Sequence, residues 1–239
     1  MTEEERWNTQ YAYSVVQIGS LPLNPETEYD RSVEHRCTSI LIWPEGDSPS
    51  LHNTVLTDPC FTSQGYQYAM QQLKPLKTTF QETGCIFVTH PHRDHCSNLA
   101  HFLGQQPGEP FQPGEHQHFE DLVSILLPGH APTQQGLLFR AASQQLVCVA
   151  GDAILNEAWL RAWKYYWPNF YQETEIVQTW RSVAAILAHV DVVIPGHGLP
   201  FDVTAELVNH LAQTFAQAEH AAQCPDVLEC LEKRYASLT

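Results

Sequence analysis

Short apolar runs broken by turn residues make up the first half of the chain. Residues 13–21 (YSVVQIGSL), 37–43 (CTSILIW), 54–59 (TVLTDP) and 85–90 (CIFVTH) are rich in Val, Ile and Thr and bounded by Gly, Pro, Asn or Asp, which predicts strands. Between the third and fourth runs, GYQYAMQQLKPL spaces Tyr68, Met70 and Leu73 as a helical stripe ending near Pro75. A second strand group is predicted at 122–130, 136–142 and 144–153, with SQQ as a hairpin turn between the last two.

Helical periodicity takes over at residue 173. Ile176, Val177, Trp180, Val183, Ala184 and Leu187 fall on one face of an amphipathic helix over 173–190, which runs into a buried strand at 191–198. Leu207, Leu211 and Phe215 predict a helix from 203 to about 222, and PDVLECLEKRYASL a last short one. Strands followed by a helix thus occur twice. A further helix is expected at CSNLAHFL, and 104–118 reads as a surface loop. One domain over 1–239, with a helical tail from about 203, is the expected organisation.

Composition narrows the function. Net charge is −15 with only 12 Lys and Arg, so the basic stripe that holds a phosphate backbone is missing and nucleic acid is not an expected partner. No apolar run is long enough to span a bilayer. The start, MTEEERWNTQ, is acidic and polar where a secretory signal is basic then apolar, so a cytoplasmic location is expected. Seven scattered cysteines without a C-x-x-C pair suggest neither a disulfide framework nor a cysteine zinc finger.

Candidate chemistry concentrates in THPHRDH, residues 89–95. Pro91 biases His90 toward an extended backbone, in which His90 and His92 project to the same side and can share one metal. Asp94 and His95 follow before the expected helix and could serve a neighbouring ion. His130, Asp152 and His197 each end an apolar strand beside a glycine (Gly129, Gly151, Gly196) that lets the backbone turn sharply. Imidazole and carboxylate donors suit zinc, with iron or manganese as substitutes. Asp58 before Pro59 reads equally as a turn former.

In order along the chain, THPHRDH, PGHAP, AGDA and IPGHG resemble the signature motifs of the metallo-β-lactamase superfamily. That resemblance implies an α+β fold, a four-layer αβ/βα sandwich with its metal site at one edge. It implies His90, His92 and His130 on one metal, Asp94, His95 and His197 on a second, Asp152 bridging, and Asp58 holding a ligand imidazole from behind. Having both Asp94 and His95 resembles the dinuclear, glyoxalase II-like branch. The implied activity is hydrolysis of an ester, thioester, lactone or phosphoester in a small molecule, by a bridging hydroxide between two divalent ions, zinc foremost, with Asp94 and Asp152 catalytic.

The chain departs from parts of that pattern. Leu155 stands where lactonase-like members have a tyrosine, and Gln134 and Gln135 stand near a second histidine of the glyoxalase II motif. The tail from 203 offers only Lys233 and Arg234 to hold glutathione. No residue is singled out for substrate binding. The aromatic segment 159–171 reads as a lid over the metals, or as packing against the sandwich or a homodimer partner. His101, His116, His118, His189, His210 and His220 read as structural or surface, and Cys96 as packed rather than reactive. Two other functions stay open: an iron-dependent redox enzyme on the same fold, resembling persulfide dioxygenases, and a non-catalytic binding protein.

Overall fold

The structure, a computed structural model, describes residues 7–26, 29–99, 119 and 121–239. Its first sheet runs in the order β1 (Tyr11–Gln17), β2 (Ser39–Pro44), β3 (Val55–Thr57) and β4 (Cys85–Phe87), with two antiparallel pairings followed by a parallel one between β3 and β4. The second runs β5 (Val123–Leu126), β6 (Gln135–Arg140), β7 (Leu146–Gly151), β8 (Val192–Pro195) and β9 (Phe201–Asp202). Its first three pairings repeat the same sequence of antiparallel, antiparallel and parallel, and β9 adds an antiparallel edge. The doubled strand-and-helix pattern of the sequence is therefore a repeated sheet topology.

A parallel pair needs a crossover, and helices supply it. Helix α1 (Ser63–Leu73) lies between β3 and β4, and α2 (Arg93–Cys96) follows β4. Helices α3 (Glu157–Arg161) and α4 (Glu173–His189) lie between β7 and β8, and α5 (Ala205–Thr214) and α6 (Pro225–Leu238) complete the chain.

Alternation along the strands sorts the side chains into three apolar seams. Ile40 and Ile42 of β2, Val147 and Val149 of β7, and Val192 and Ile194 of β8 meet between the two sheets. Leu41, Trp43 and Leu56 point the other way and pack against Ala69 and Leu73 of α1. Cys148, Ala150 and Val193 face the outer helices through Trp180, Val183, Leu187, Leu211 and Leu231. Helix, sheet, sheet and helix stack in that order, the expected α+β four-layer sandwich.

Several sequence expectations need correction. The α1 stripe is carried by Gly65, Ala69 and Leu73, which are buried, while Tyr68 is exposed. Small residues let α1 approach β1 closely; of the expected stripe, Leu73 is buried and Met70 packs against the core, and only Tyr68 departs from it. The helix expected from 203 stops at Thr214 and gives way to short 3-10 turns at Phe215–Gln217 and Ala221–Gln223, with His220 between them at φ +60°. Strand β9 and helix α3 were not anticipated. The loop at 104–118 and most of the helix expected at CSNLAHFL lie outside the described residues. Among the described residues, no helix is long and apolar enough to cross a membrane.

Candidate metal centre

Four chain segments leave the two parallel pairs at the same edge of the sandwich. Asp58 follows β3, His90 and His92 follow β4, Asp152 follows β7 and His197 follows β8. His130 arrives from the loop after β5, and Asp94 and His95 from the short α2. All seven predicted donors meet there. One group comprises His90, His92, His130 and Asp152, the other Asp94, His95, Asp152 and His197, and within each group the donor atoms lie within 4.8 Å of one another.

Asp152 belongs to both groups, and its two oxygens face different ways. Oδ2 lies 3.7 Å from Nε2 of His90 and 3.2 Å from Nε2 of His130. Oδ1 lies 3.2 Å from Nε2 of both His95 and His197, and Nε2 of His197 is also 3.3 Å from Oδ2. His92 presents Nδ1 instead, 3.0 Å from Nε2 of His90 and 2.9 Å from Nε2 of His130. Oδ2 of Asp94 is 3.7 Å from Nε2 of His95 and 3.4 Å from Nε2 of His197.

The backs of four imidazoles are pinned. Nδ1 of His95 donates to Oδ2 of Asp58 at 2.9 Å, and Nδ1 of His197 to the Arg36 carbonyl at 2.8 Å. Nδ1 of His90 donates to Oγ1 of Thr89 at 3.1 Å, since that hydroxyl spends its own proton on Asp58 at 2.8 Å. Nδ1 of His130 lies 2.6 Å from the Tyr171 hydroxyl. On His90, His95 and His197 the partner can only accept, and a proton held on Nδ1 leaves Nε2 a lone pair, so these three rings aim lone pairs into the cluster and at Asp152. Nε2 of His95 and Oδ1 of Asp152 are buried with no hydrogen-bond partner. Lone pairs crowded in this way repel unless a cation lies among them, and the donor set fits a divalent metal ion in each group.

Protonation follows the same crowding. Burial pushes Asp152 up, but His197, His95 and His130 outweigh it and hold the carboxyl well below its usual range. Burial disfavours charge on His95 too, yet Asp152 and Asp58 raise it well above an ordinary histidine. Burial lowers His90 to about 4 and His130 to about 3 despite Asp152 nearby. Asp94 is lowered, the His35 hydrogen bond and His95 overcoming burial.

Glycines act here in two distinct ways. Gly151 adopts φ +52°, the turn that the sequence suggested. Gly196 instead makes room, since a Cβ there would stand 1.9 Å from Oδ1 of Asp152. Asp58 itself sits at φ +41°, and besides Thr89 Oγ1 it accepts the Thr89 amide at 2.7 Å.

Thr89, Tyr171, the Arg36 carbonyl and His35 were not foreseen at the site. Nε2 of His35 lies 3.0 Å from Oδ2 of Asp94, and its ring packs edge-on to His197. Thr89 adjoins the motif and could have been suspected from that position, and Tyr171 ends the aromatic segment for which a lid over the metals was one reading; the Arg36 carbonyl and His35 are distant in sequence and carry no local signal. The aromatic segment divides its labour: Trp159 and Trp163 are buried, Trp167 and Phe170 are exposed, and Tyr171 reaches His130. Gln134 and Gln135 stitch strand ends through the carbonyls of Ala150 and Val88, and Arg234 binds the Val190 carbonyl. Cys96 leans on the Pro91 carbonyl with its thiol pKa raised by burial. His189, His210 and His220 stand outside both donor groups, and His101, His116 and His118 lie outside the described residues.

No protein-family model matches the chain. It is similar to metallo-beta-lactamase domain-containing protein 1 of Xenopus laevis, 31% identical over 134 residues that cover 49% of this chain and 55% of that protein. The chain thus matches about half the length of this curated relative. A metallo-beta-lactamase family protein of Thermus thermophilus superposes with a TM-score of 0.55 at 18% identity, over 86% of this chain and 80% of that one. A Thermotoga maritima structure assigned to the metallo-beta-lactamases gives 0.56 at 14% identity, over 81% and 99%. Agreement of backbones at so low an identity speaks to architecture, and on it this chain is a protein of the metallo-β-lactamase fold.

Proposed function

We propose that the protein is a metal-dependent hydrolase of small molecules, acting on an ester, thioester, lactone or phosphoester bond at a dinuclear centre of the zinc type. The observation that carries this reading is the shared carboxylate of Asp152, with Oδ2 toward His90 and His130, Oδ1 toward His95, and His197 within reach of both oxygens. His90, His92 and His130 would hold one ion, Asp94, His95 and His197 the other, and Asp152 both. Bound there, divalent ions lower the pKa of water toward about 7 and polarise a carbonyl or phosphoryl oxygen.

The chain's own residues do the rest. Asp58 and Thr89 fix two imidazoles from behind, which sets the direction of their lone pairs before any ion arrives. Oδ2 of Asp94, half-buried and 3.0 Å from His35, is placed to pass a proton between the cleft and that partly exposed imidazole. Together, Asp94 and His95 favour the glyoxalase II-like branch. A mononuclear iron redox enzyme needs only the first group, and would leave buried His95 and Asp152 atoms facing each other without purpose.

The test joins metal analysis to turnover. Purified protein is expected to retain two divalent ions per chain and to hydrolyse at least one member of a panel of thioesters, lactones and phosphodiesters, with Asp152→Asn inactive. One iron per chain together with substrate-dependent oxygen uptake would overturn the reading.

A further inference from the structure

Strand β1 ends on a side chain that simple alternation would place elsewhere. Tyr13 and Val15 pack into the seam between the sheets, while Ala12 and Val16 pack on the α1 side. By alternation Gln17 belongs with Val15. The register with β2 slips between Val15 and Gln17, however, and a bulge of this kind re-aims a side chain. Oε1 of Gln17 lies against α1, so close to Gly65 that a Cβ there would stand 2.0 Å from it. Gln17 is 1% exposed, and its Oε1 has no hydrogen-bond partner. Burying an amide in this way is unfavourable, which calls for a reason.

The nitrogen end supplies one. Nε2 donates to the Cys37 carbonyl and to the Cys60 carbonyl, each at 2.9 Å. Both partners can only accept, so they fix which way the amide faces. Each carbonyl belongs to a segment that holds one histidine of the second donor group. The Arg36 carbonyl, one peptide before that of Cys37, accepts from Nδ1 of His197 at 2.8 Å. Asp58, two residues before Cys60, accepts from Nδ1 of His95 at 2.9 Å. The two segments also meet directly, since the Asp58 carbonyl accepts from Cys37 Sγ at 3.2 Å and from the Cys60 amide at 2.8 Å. Asp58 stands at φ +41°, a conformation that persists only where the surroundings over-determine it.

We infer that Gln17 is a positioning residue for the second donor group: one buried amide ties the backbone behind His95 to the backbone behind His197. It thereby sets the spacing of two imidazoles that would share an ion with Asp94 and Asp152. The first group depends on it less. His130 is held by Tyr171, and His90 reaches Asp58 only through Thr89. The inference rests on the metal reading of the two groups and not on the reaction.

The test titrates Zn2+ alone into metal-stripped protein against a chromophoric chelator, which yields two stepwise constants. Gln17→Met keeps the shape and gives no proton, and Gln17→Glu gives at most one. Loss of a partner that supports a metal ligand costs about 10–100-fold in affinity. Gln17 acts one step further back, so the expected loss is about tenfold in one constant, with the other changed much less. A His197→Ala background assigns the ion: with the second group disabled, Gln17→Met should leave the remaining constant nearly unchanged. Gly65→Ala crowds Oε1 from the helix side and is expected to lower the same constant with Gln17 intact, which serves where a Gln17 variant fails to fold. Val16→Ala loses buried packing beside Gln17 and should lower stability while keeping the ratio of the two constants. Equal loss of both ions, no loss at all, or the same selective loss in Val16→Ala overturns the inference and leaves the hydrolase reading standing. Selective loss in a protein that turns over no substrate of the panel removes the hydrolase reading and keeps the role of Gln17. A wild type that binds a single ion overturns both.

Discussion

Nε2 of His95 lies 3.2 Å from Oδ1 of Asp152, both atoms buried and neither with a hydrogen-bond partner. With Nδ1 of His95 committed to Asp58, this facing pair needs a positive charge between it. In the bare site a proton serves, which is why His95 is pushed far up the pH scale by its two carboxylates. A metal ion serves as well and must displace that proton. Metal loading at neutral pH is expected to release protons, read as a dependence of the calorimetric heat on buffer ionisation enthalpy. Asp152→Asn should abolish most of the release and weaken both donor groups together, whereas loss of one ion alone would contradict the bridging geometry.

Asp58 supports the second group from behind. Its carboxylate takes His95 Nδ1 on Oδ2 and the Thr89 amide on Oδ1. Asp58→Asn keeps the shape but loses the charge that holds the imidazole, and the loss of such a supporting partner costs about 10–100-fold in metal affinity. Equilibrium dialysis against a chelator should show the ion on Asp94, His95 and His197 leaving first.

The sequence displayed this site more fully than it displayed its support. All seven donors sit at strand ends beside glycine or inside one six-residue motif, so local patterning was enough to find them. The residues that aim them come from elsewhere: Tyr171 reaches His130 across 41 positions and the Arg36 carbonyl reaches His197 across 161. Such pairings arise only when the two sheets pack. The fold follows the same rule. Strands with strong Val and Ile content were legible, while the two-residue β9 and the turn-broken stretch after Thr214 depend on neighbours that no local window contains.

Tyr171 offers a test confined to the first group. Its hydroxyl lies 2.6 Å from Nδ1 of His130, a ring that is nearly buried. Tyr171→Phe removes this hydrogen bond and leaves Nδ1 of His130 unpaired, at a cost of about 1–3 kcal/mol in a buried setting. The expected outcome is weaker retention of the ion on His90, His92 and His130, with the second ion unchanged because Asp58 and the Arg36 carbonyl still hold His95 and His197. Equal weakening of both ions would show that Tyr171 acts on the site as a whole.

Stripped of metal, the protein is expected to lose stability as pH falls from about 6.5, the ordinary imidazole value, toward 4. Burial lowers His90 to about 4 and His130 to about 3, so in that window the unfolded chain takes up protons at both positions while the folded chain does not. The unfolded state is then favoured at each step of acidification. His95 is shifted the other way, and its contribution is complete below 6.5 and disappears only as pH rises through its elevated folded value, so it does not offset the acid loss. Asp94 and Asp152, both held low, add stability that starts to disappear only below about 4, near the unfolded carboxylate value. The combined effect across the window is on the order of a few kcal/mol. Urea midpoints measured with chelator at pH 7, 6, 5 and 4.5 should fall steadily. A flat series would mean that His90 and His130 are not buried as neutral rings, and with that the pre-set lone pairs on which the metal centre depends would be lost.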